Sequence, residues 1–164
     1  MSTSQPDRSL PADDEARALA RELLASARYG SLAFSDAETG LPGISRIALG
    51  VDDQGIPVSL VSTLTQHEPA LRSRPDCALM VGEPGRKGDP LTHPRLMIRA
   101  RASFVAPDDP TRPGLRDLWL RDHPKSTLYV DFADFAFVRL RPVSAFLNGG
   151  FGRAFRMEAS DLLP

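Results

Sequence analysis

Three glycines within four residues, Gly149, Gly150 and Gly152, constrain the fold of this chain more than any other stretch. Glycine weakens a strand and permits positive φ, so the cluster predicts a tight turn or a close approach of the backbone to another group. Because apolar runs flank it, two interpretations stay open: a hairpin turn between two strands, or a contact with a cofactor or a second subunit. A dinucleotide fingerprint is excluded, because Phe155 stands where that motif needs glycine or alanine.

The length of 164 residues suits one domain with a substantial core, and the net charge of -1 gives no sign of nucleic acid or membrane as a partner. We expect residues 1–9 to form a flexible N-terminal arm and residues 10–164 a single domain. The polar N-terminus predicts no signal peptide, and no apolar run is long enough to span a bilayer. The single cysteine, Cys77, allows no intrachain disulfide and is typical of a cytoplasmic protein.

The hydrophobic periodicity predicts an α+β fold built on an antiparallel barrel. Apolar residues at helical spacing predict a helix from Pro11 to Arg28, and two more helices are expected over 65–72 and 108–122. Alternating apolar runs between Gly- and Pro-rich turns predict strands over 31–35, 44–51, 56–62, 77–81, 95–105, 135–141, 143–147 and 151–157. Pro142 is expected to break or bulge the chain between two of them.

The best candidate for an anion site is the stretch from Ser62 to His67, where a predicted strand runs into a predicted helix. Ser62, Thr63 and Thr65 offer hydroxyl groups, His67 a possible cation, and a helix start offers free amides, which together suit a phosphate monoester. Ordinary capping of the helix by Thr65 is the alternative.

Arginines provide two further candidates. Arg46 opens a predicted strand whose hairpin partner leads into the hydroxyl residues, so the two could converge on one phosphate. Arg95, Arg99 and Arg101 alternate along one strand and share a face, either as a solvated edge or as the polar lining of an anion site at a subunit interface.

No other catalytic or metal-binding pattern is present. His67, His93 and His123 lack the spacing of metal ligands, and we predict no metal site. No nucleophile elbow, phosphate-binding Walker loop or acid–base carboxylate pair occurs, so no catalytic residue is assigned.

Four segments resemble the pyridoxamine-phosphate-oxidase-like, FMN-binding split-barrel superfamily, in its haem-utilisation or flavin-nucleotide-binding branch. They are Arg28–Ala33, Leu60–His67, Asp89–Leu96 and Leu147–Ala154, and the resemblance covers about residues 10 to 156. It implies a six-stranded antiparallel split β-barrel with flanking helices, and a homodimer with FMN bound between the subunits.

Carried over residue by residue, the resemblance assigns the FMN contacts. Arg46 matches the strand arginine that contacts the flavin phosphate, and Val61 and Ser62 match the strand end beside the ring and phosphate. Gln66 and His67 occupy positions where the oxidase has a basic pair. Arg95 stands in place of a glutamine that reaches the isoalloxazine from the other subunit. The full predicted cofactor-binding set is Arg46, Val61, Ser62, Thr63, Thr65, Gln66, His67 and Arg95.

The resemblance implies an FMN-dependent oxidoreductase whose substrate stays open. The tryptophan and arginine of the oxidase's substrate pattern are not visible here, since the only tryptophan is Trp119. As a separate observation, no histidine follows His123. Two alternatives are retained: a haem or tetrapyrrole carrier, with His93 and His123 as the ligands to test, and a structural dimer without a cofactor.

Overall fold

The computed structural model describes residues 9–164, so all of the predicted arm except Ser9 lies outside the described residues. The described chain has a mixed α+β fold with nine strands and four α-helices. The strands are β1 (Leu10–Pro11), β2 (Tyr29–Ser35), β3 (Pro42–Ala48), β4 (Gly50–Val51), β5 (Pro57–Ser62), β6 (Asp76–Val81), β7 (Arg95–Phe104), β8 (Phe135–Asn148) and β9 (Ala154–Glu158). The helices are α1 (Asp14–Ser26), α2 (His67–Ser73), α3 (Arg112–Asp122) and α4 (Ala159–Leu162).

All nine strands belong to one sheet of the described residues, in the order β1-β9-β8-β7-β6-β2-β3, with β5 paired to β8 and β4 to β5. The resemblance implied six barrel strands, and the described sheet has three more, β1, β4 and β9, of two to five residues each. Pairing is antiparallel except between β1 and β9. The sheet bends until β3 approaches β5, where the Ser59 hydroxyl donates to the Ala48 carbonyl at 2.7 Å.

Helix α1 confirms its predicted apolar face, since Ala16, Ala20 and Leu24 are buried. The helix begins later than predicted, because Asp13 caps it by accepting the Ala16 amide at 2.7 Å. The prediction that Pro11 opens the helix was therefore wrong. Pro11 lies in β1 and is held by parallel pairing with β9, a long-range contact that local sequence does not encode.

Strand β8 is one continuous element where the sequence predicted two. Pro142 does not interrupt it, because the register shifts there: Ala100 pairs with Pro142 and Arg99 with Ser144, so Val143 is the extra residue of a bulge. Along its other edge, β8 pairs first with β5 and then with β9. The long strand thereby joins the two parts of the sheet.

Two apolar clusters support the sheet. The larger lies between α1 and the inner face of the central strands, and the smaller lies under α3 around Trp119 and Phe137. The indole nitrogen of Trp119 donates to the Ser126 hydroxyl at 3.1 Å, which satisfies a polar group inside this smaller cluster. Other boundaries also differ from prediction: α2 begins at His67, α3 at Arg112 and β9 at Ala154, and the strand predicted over 44–51 is divided into β3 and β4.

Candidate functional site

The residues between β5 and α2 form a compact turn, which we call the hydroxyl turn (residues 62–66). The Ser62 hydroxyl accepts the Leu64 amide at 3.2 Å, and the Thr65 hydroxyl donates to the Ser62 carbonyl at 2.8 Å. Thr65 also accepts the Glu68 amide at 3.4 Å, as the capping interpretation predicted. The hydroxyls of Ser62 and Thr65 therefore shape the turn, whereas Thr63 and Gln66 are exposed and available to a ligand.

Asp134 fixes the hydroxyl turn from the other side, a role that sequence reasoning missed. Its carbonyl accepts the Thr63 amide at 2.9 Å, and its carboxylate receives the Ser62 hydroxyl at 3.4 Å. Only the pairing of β5 with β8, which sets Ser62 opposite Phe135, brings Asp134 here. No local signal in the sequence could have indicated it.

His67 is buried at the start of α2, and its ring meets the Phe34 ring edge-on with centroids 6.1 Å apart. Burial lowers the pKa of His67, and the neighbouring Glu68 carboxylate only partly offsets this. The imidazole is therefore neutral at pH 7. The sequence suggested a cation at this position, and the structure supplies a neutral ring instead. Val61, which precedes the turn, is also buried.

Arg46 lies exposed on the outer face of β3, with its guanidinium 5.6 Å from the centre of the Tyr29 ring. In residues 9–164 it forms no ion pair. Strand β3 approaches β5 at the hydrogen bond between Ser59 and Ala48, and Arg46 lies two residues before Ala48. The structure thus places a cation without an ion-pair partner in residues 9–164 on the strand next to β5, which leads into the hydroxyl turn.

Arg95, Arg99 and Arg101 share the outer face of β7, as their alternation predicted. They do not form an edge, because β7 lies between β6 and β8. Arg101 pairs with Asp76 at 3.0 Å, and Arg95 donates to the Leu91 carbonyl at 2.9 Å. Arg95 therefore has no carboxylate partner in residues 9–164, whereas Asp76 balances the charge of Arg101.

A continuous row of side chains crosses the outer face of the sheet. The strand registers align Arg46, Ser31, Met80, Met97 and Phe146 from β3 to β8. The next residue outward on β3, Ile44, is 77% exposed. This surface, which we call the outer sheet face, combines large apolar groups with Arg46 at one margin, and exposed apolar patches of this kind mark interaction surfaces.

The glycine cluster forms the hairpin turn between β8 and β9, which confirms the first of its two interpretations. Gly150 and Gly152 have φ of 117° and 72°, and the Gly149 amide donates to the Arg153 carbonyl at 2.7 Å. The turn leaves Phe151 93% exposed at its tip. A contact of this turn with a cofactor or a second subunit stays a prediction.

The two loop histidines differ in how many ring nitrogens are engaged. His93 accepts the Gly85 amide at Nδ1 (3.1 Å), and its Nε2 lies 2.9 Å from the Lys87 carbonyl oxygen. His123 stacks on Trp119 with ring centroids 4.1 Å apart, and its Nε2 lies 2.9 Å from the Leu49 carbonyl oxygen. Ligation of a metal by His93, or by Nε2 of His123, would therefore break an existing hydrogen bond.

Cys77 is half-buried in β6. Its sulfur lies 3.6 Å from the Ala100 carbonyl oxygen, and burial raises its pKa to about 11. Among residues 9–164 no cluster of three or more His, Cys, Asp or Glu could hold a metal ion.

Comparison with known proteins identifies the relatives of this chain. It is 30% identical over 122 residues to the non-canonical heme oxygenase HOZ of Arabidopsis thaliana chloroplasts, a match that spans 74% of this chain and 36% of that protein. A heme binding protein from Mycobacterium smegmatis superposes with a TM-score of 0.79 and 24% identity, over 98% of this chain and 61% of that one.

A general-stress-protein-26-related protein of the pyridoxinephosphate oxidase family, from Clostridium acetobutylicum, superposes with a TM-score of 0.69 and 14% identity. It covers 92% of this chain and 99% of that one. No family model matches the sequence. These relatives confirm the resemblance of the chain to the pyridoxamine-phosphate-oxidase-like superfamily and its haem-utilisation branch. In the described part of the chain, no helix has the length and apolar character needed to cross a membrane.

Proposed function

We propose that this protein is a homodimer that binds FMN and carries out flavin-dependent oxidoreduction on a substrate still to be identified. The observation that carries the proposal is Arg46, an exposed cation without an ion-pair partner in residues 9–164, on the strand that approaches β5, which leads into the hydroxyl turn. A phosphate monoester fits this arrangement, because a guanidinium binds it through two parallel hydrogen bonds.

Each residue predicted to contact the phosphate then has its own role. Arg46 supplies the charge, and the exposed side chains of Thr63 and Gln66 supply donors. Ser62 and Thr65 hold the turn in shape through their backbone bonds. His67 lies behind the turn as a neutral buried ring, so the phosphate charge is balanced mainly by Arg46.

The outer sheet face is the proposed dimer contact. Its apolar row runs directly from Arg46 to Phe146, so a second copy that covers it brings its own residues to the margin where Arg46 lies. Arg95 shares this face and is the proposed contact with the flavin ring of the partner. The six strands β3-β2-β6-β7-β8-β5, closed by the Ser59–Ala48 contact, form the proposed split barrel.

When bound, the flavin supplies the hydride or electron transfer. The protein orients it: Arg46 and the hydroxyl turn fix the phosphate end, and the two sheet faces exclude water from the ring. Val61 packs inside the barrel behind the phosphate end and keeps the strand end rigid.

The test is FMN binding, measured by absorbance after desalting and by titration, in Arg46→Ala beside Arg121→Ala. Arg121 is an exposed arginine of α3 and serves as the charge-matched control. Loss of a charged bidentate contact weakens binding about 10- to 100-fold. Unchanged affinity in Arg46→Ala, or equal losses in both variants, would contradict the proposal. Colourless protein whose Tm does not rise with FMN would favour a dimer without a cofactor.

Haem binding is the second candidate, favoured by the Arabidopsis heme oxygenase and the Mycobacterium heme binding protein among the relatives. In this chain, ligation by His93 requires the loss of one of its hydrogen bonds, and ligation by His123 through Nε2 requires the loss of its bond to the Leu49 carbonyl. Haem titration followed at the Soret band tests it. A shift that survives in His93→Ala and His123→Ala would assign the ligand elsewhere, and the absence of a shift would reject haem.

A further inference from the structure

A groove unrelated to the FMN residues opens between α2, α3 and the beginning of β8, with a volume of about 430 Å³. We call it the aromatic groove. Three phenylalanines and two arginines dominate its lining, together with one carboxylate: Phe104, Phe132, Phe135, Arg72, Arg112 and Asp131. Its size lies in the range of small-molecule sites.

The aromatic groove presents flat ring surfaces, and part of this apolar surface is exposed. Phe132 is 58% exposed, although it is a large apolar side chain. Phe135 lies against Tyr129 with centroids 4.8 Å apart, which fixes the orientation of its ring. A rigid ring and an exposed ring on one groove favour a planar apolar ligand.

Arg72 extends this flat surface. Its guanidinium lies over the Phe104 ring at 3.9 Å, and its Nε donates to the Glu68 carboxylate at 2.5 Å. The side chain is half-exposed and lines the groove, so part of it is accessible to a ligand there. Guanidinium planes stack on aromatic rings, and the contacts with Phe104 and Glu68 fix the orientation of this one.

The groove also carries net positive charge. Arg116 holds Asp131 through two short bonds, 2.9 Å to Oδ1 and 2.7 Å to Oδ2. Arg112 is then 3.7 Å from a carboxylate whose charge is already balanced. Among the lining residues, two arginines (72 and 112) accompany one carboxylate, Asp131, so the lining carries one net positive charge.

We propose that the aromatic groove binds a planar aromatic molecule that carries one anionic group, such as an aromatic carboxylate. The ring lies against Phe132 and Arg72, and the anion pairs with Arg112. The site shares no residue with the proposed FMN site, so it stands whether or not the protein binds flavin.

The experiment is calorimetric titration of the full chain with 2-naphthoate, and with 2-naphthamide and cyclohexanecarboxylate as analogues that lack the charge or the aromatic ring. We expect saturable binding of 2-naphthoate that is at least about tenfold tighter than that of 2-naphthamide, as loss of a charged hydrogen bond implies. It should also be tighter than that of cyclohexanecarboxylate, which has no flat ring to stack on Phe132 and Arg72. Arg112→Gln should weaken it about tenfold or more, and the control Arg121→Gln should leave it unchanged.

Phe132→Ala is the second variant, because an exposed side chain can be removed without loss of folding, whereas Arg112 also donates to the Val130 carbonyl. It should weaken binding several-fold while Tm is unchanged. Three results would overturn the proposal: no saturable binding of 2-naphthoate, affinity unaffected by both Arg112→Gln and Phe132→Ala, or displacement by FMN together with loss in Arg46→Ala. The last would place the ligand at the FMN site.

Discussion

The buried ion pair between Asp52 and Arg139 gives the most demanding test of this structure. Arg139 donates from Nε to Asp52 Oδ2 at 2.9 Å and from Nη2 to the Thr111 hydroxyl at 3.1 Å. Only 3% of the Asp52 side chain and 12% of the Arg139 side chain are exposed. Arg139→Met keeps most of the stem volume and removes the charge.

The expected loss in the free energy of unfolding depends on the hydrogen bonds that Asp52 retains. Breaking one side of a buried pair costs about 3–5 kcal/mol, because the other charge stays buried without a partner. The amides of Gln54 and Ile56 still donate to Asp52 Oδ1, at 3.0 and 2.9 Å, so the lower end, about 3 kcal/mol, applies. For a chain of this size that corresponds to a fall in Tm of about 6–12 °C.

Urea unfolding followed by circular dichroism measures the change, with Asp52→Asn and the double variant completing a thermodynamic cycle. The carboxamide oxygen that Asp52→Asn introduces would still accept the two backbone bonds, so the double variant should be less destabilised than the two single changes added together. A loss under about 1 kcal/mol in Arg139→Met, or strict additivity in the cycle, would refute the reasoning.

Three further outcomes are expected. Gly114→Ala should stabilise the protein by about 1 kcal/mol in thermal unfolding, because the helical residue has open space around its Cβ position. Gly43→Ala should destabilise by about 1–3 kcal/mol, since an added Cβ would lie 2.6 Å from the Phe34 ring. Burial lowers the pKa of His67 below its unfolded value, so its neutral form is favoured on folding. Stability is then full above about pH 6.5 and falls as pH drops toward the folded pKa, and His67→Phe should flatten that part of the pH–stability curve.

The sequence correctly predicted those structural features that neighbouring residues determine. The apolar spacing in α1, the alternation along β7 and the glycine turn at Gly150 were all confirmed. The family resemblance was confirmed as well. The bulge predicted at Pro142 was confirmed too. Errors arose where distant segments decide the outcome: pairing with β9 places Pro11 in β1, and pairing with β7 continues β8 through Pro142, where two strands were predicted.

The sequence predicted part of the candidate site, and it missed the part that depends on distant segments. The hydroxyls of Ser62 and Thr65 and the position of Arg46 on a strand were readable from the sequence. The burial of His67 was not, because it depends on Phe34 from β2. The partners of Asp52 and Ser62, Arg139 and Asp134, lie 87 and 72 residues away, so nothing in the local pattern indicates them.

The three-way pairing of β8 has a consequence for biosynthesis. Both β5 and β7 have an edge that only β8 covers, and β8 is not complete until residue 148. At roughly 5–20 residues per second, the nascent chain therefore holds those edges uncovered for several seconds after β5 leaves the ribosome. A chaperone that binds extended apolar segments would meet its substrate in that interval, and its release would coincide with the arrival of β8.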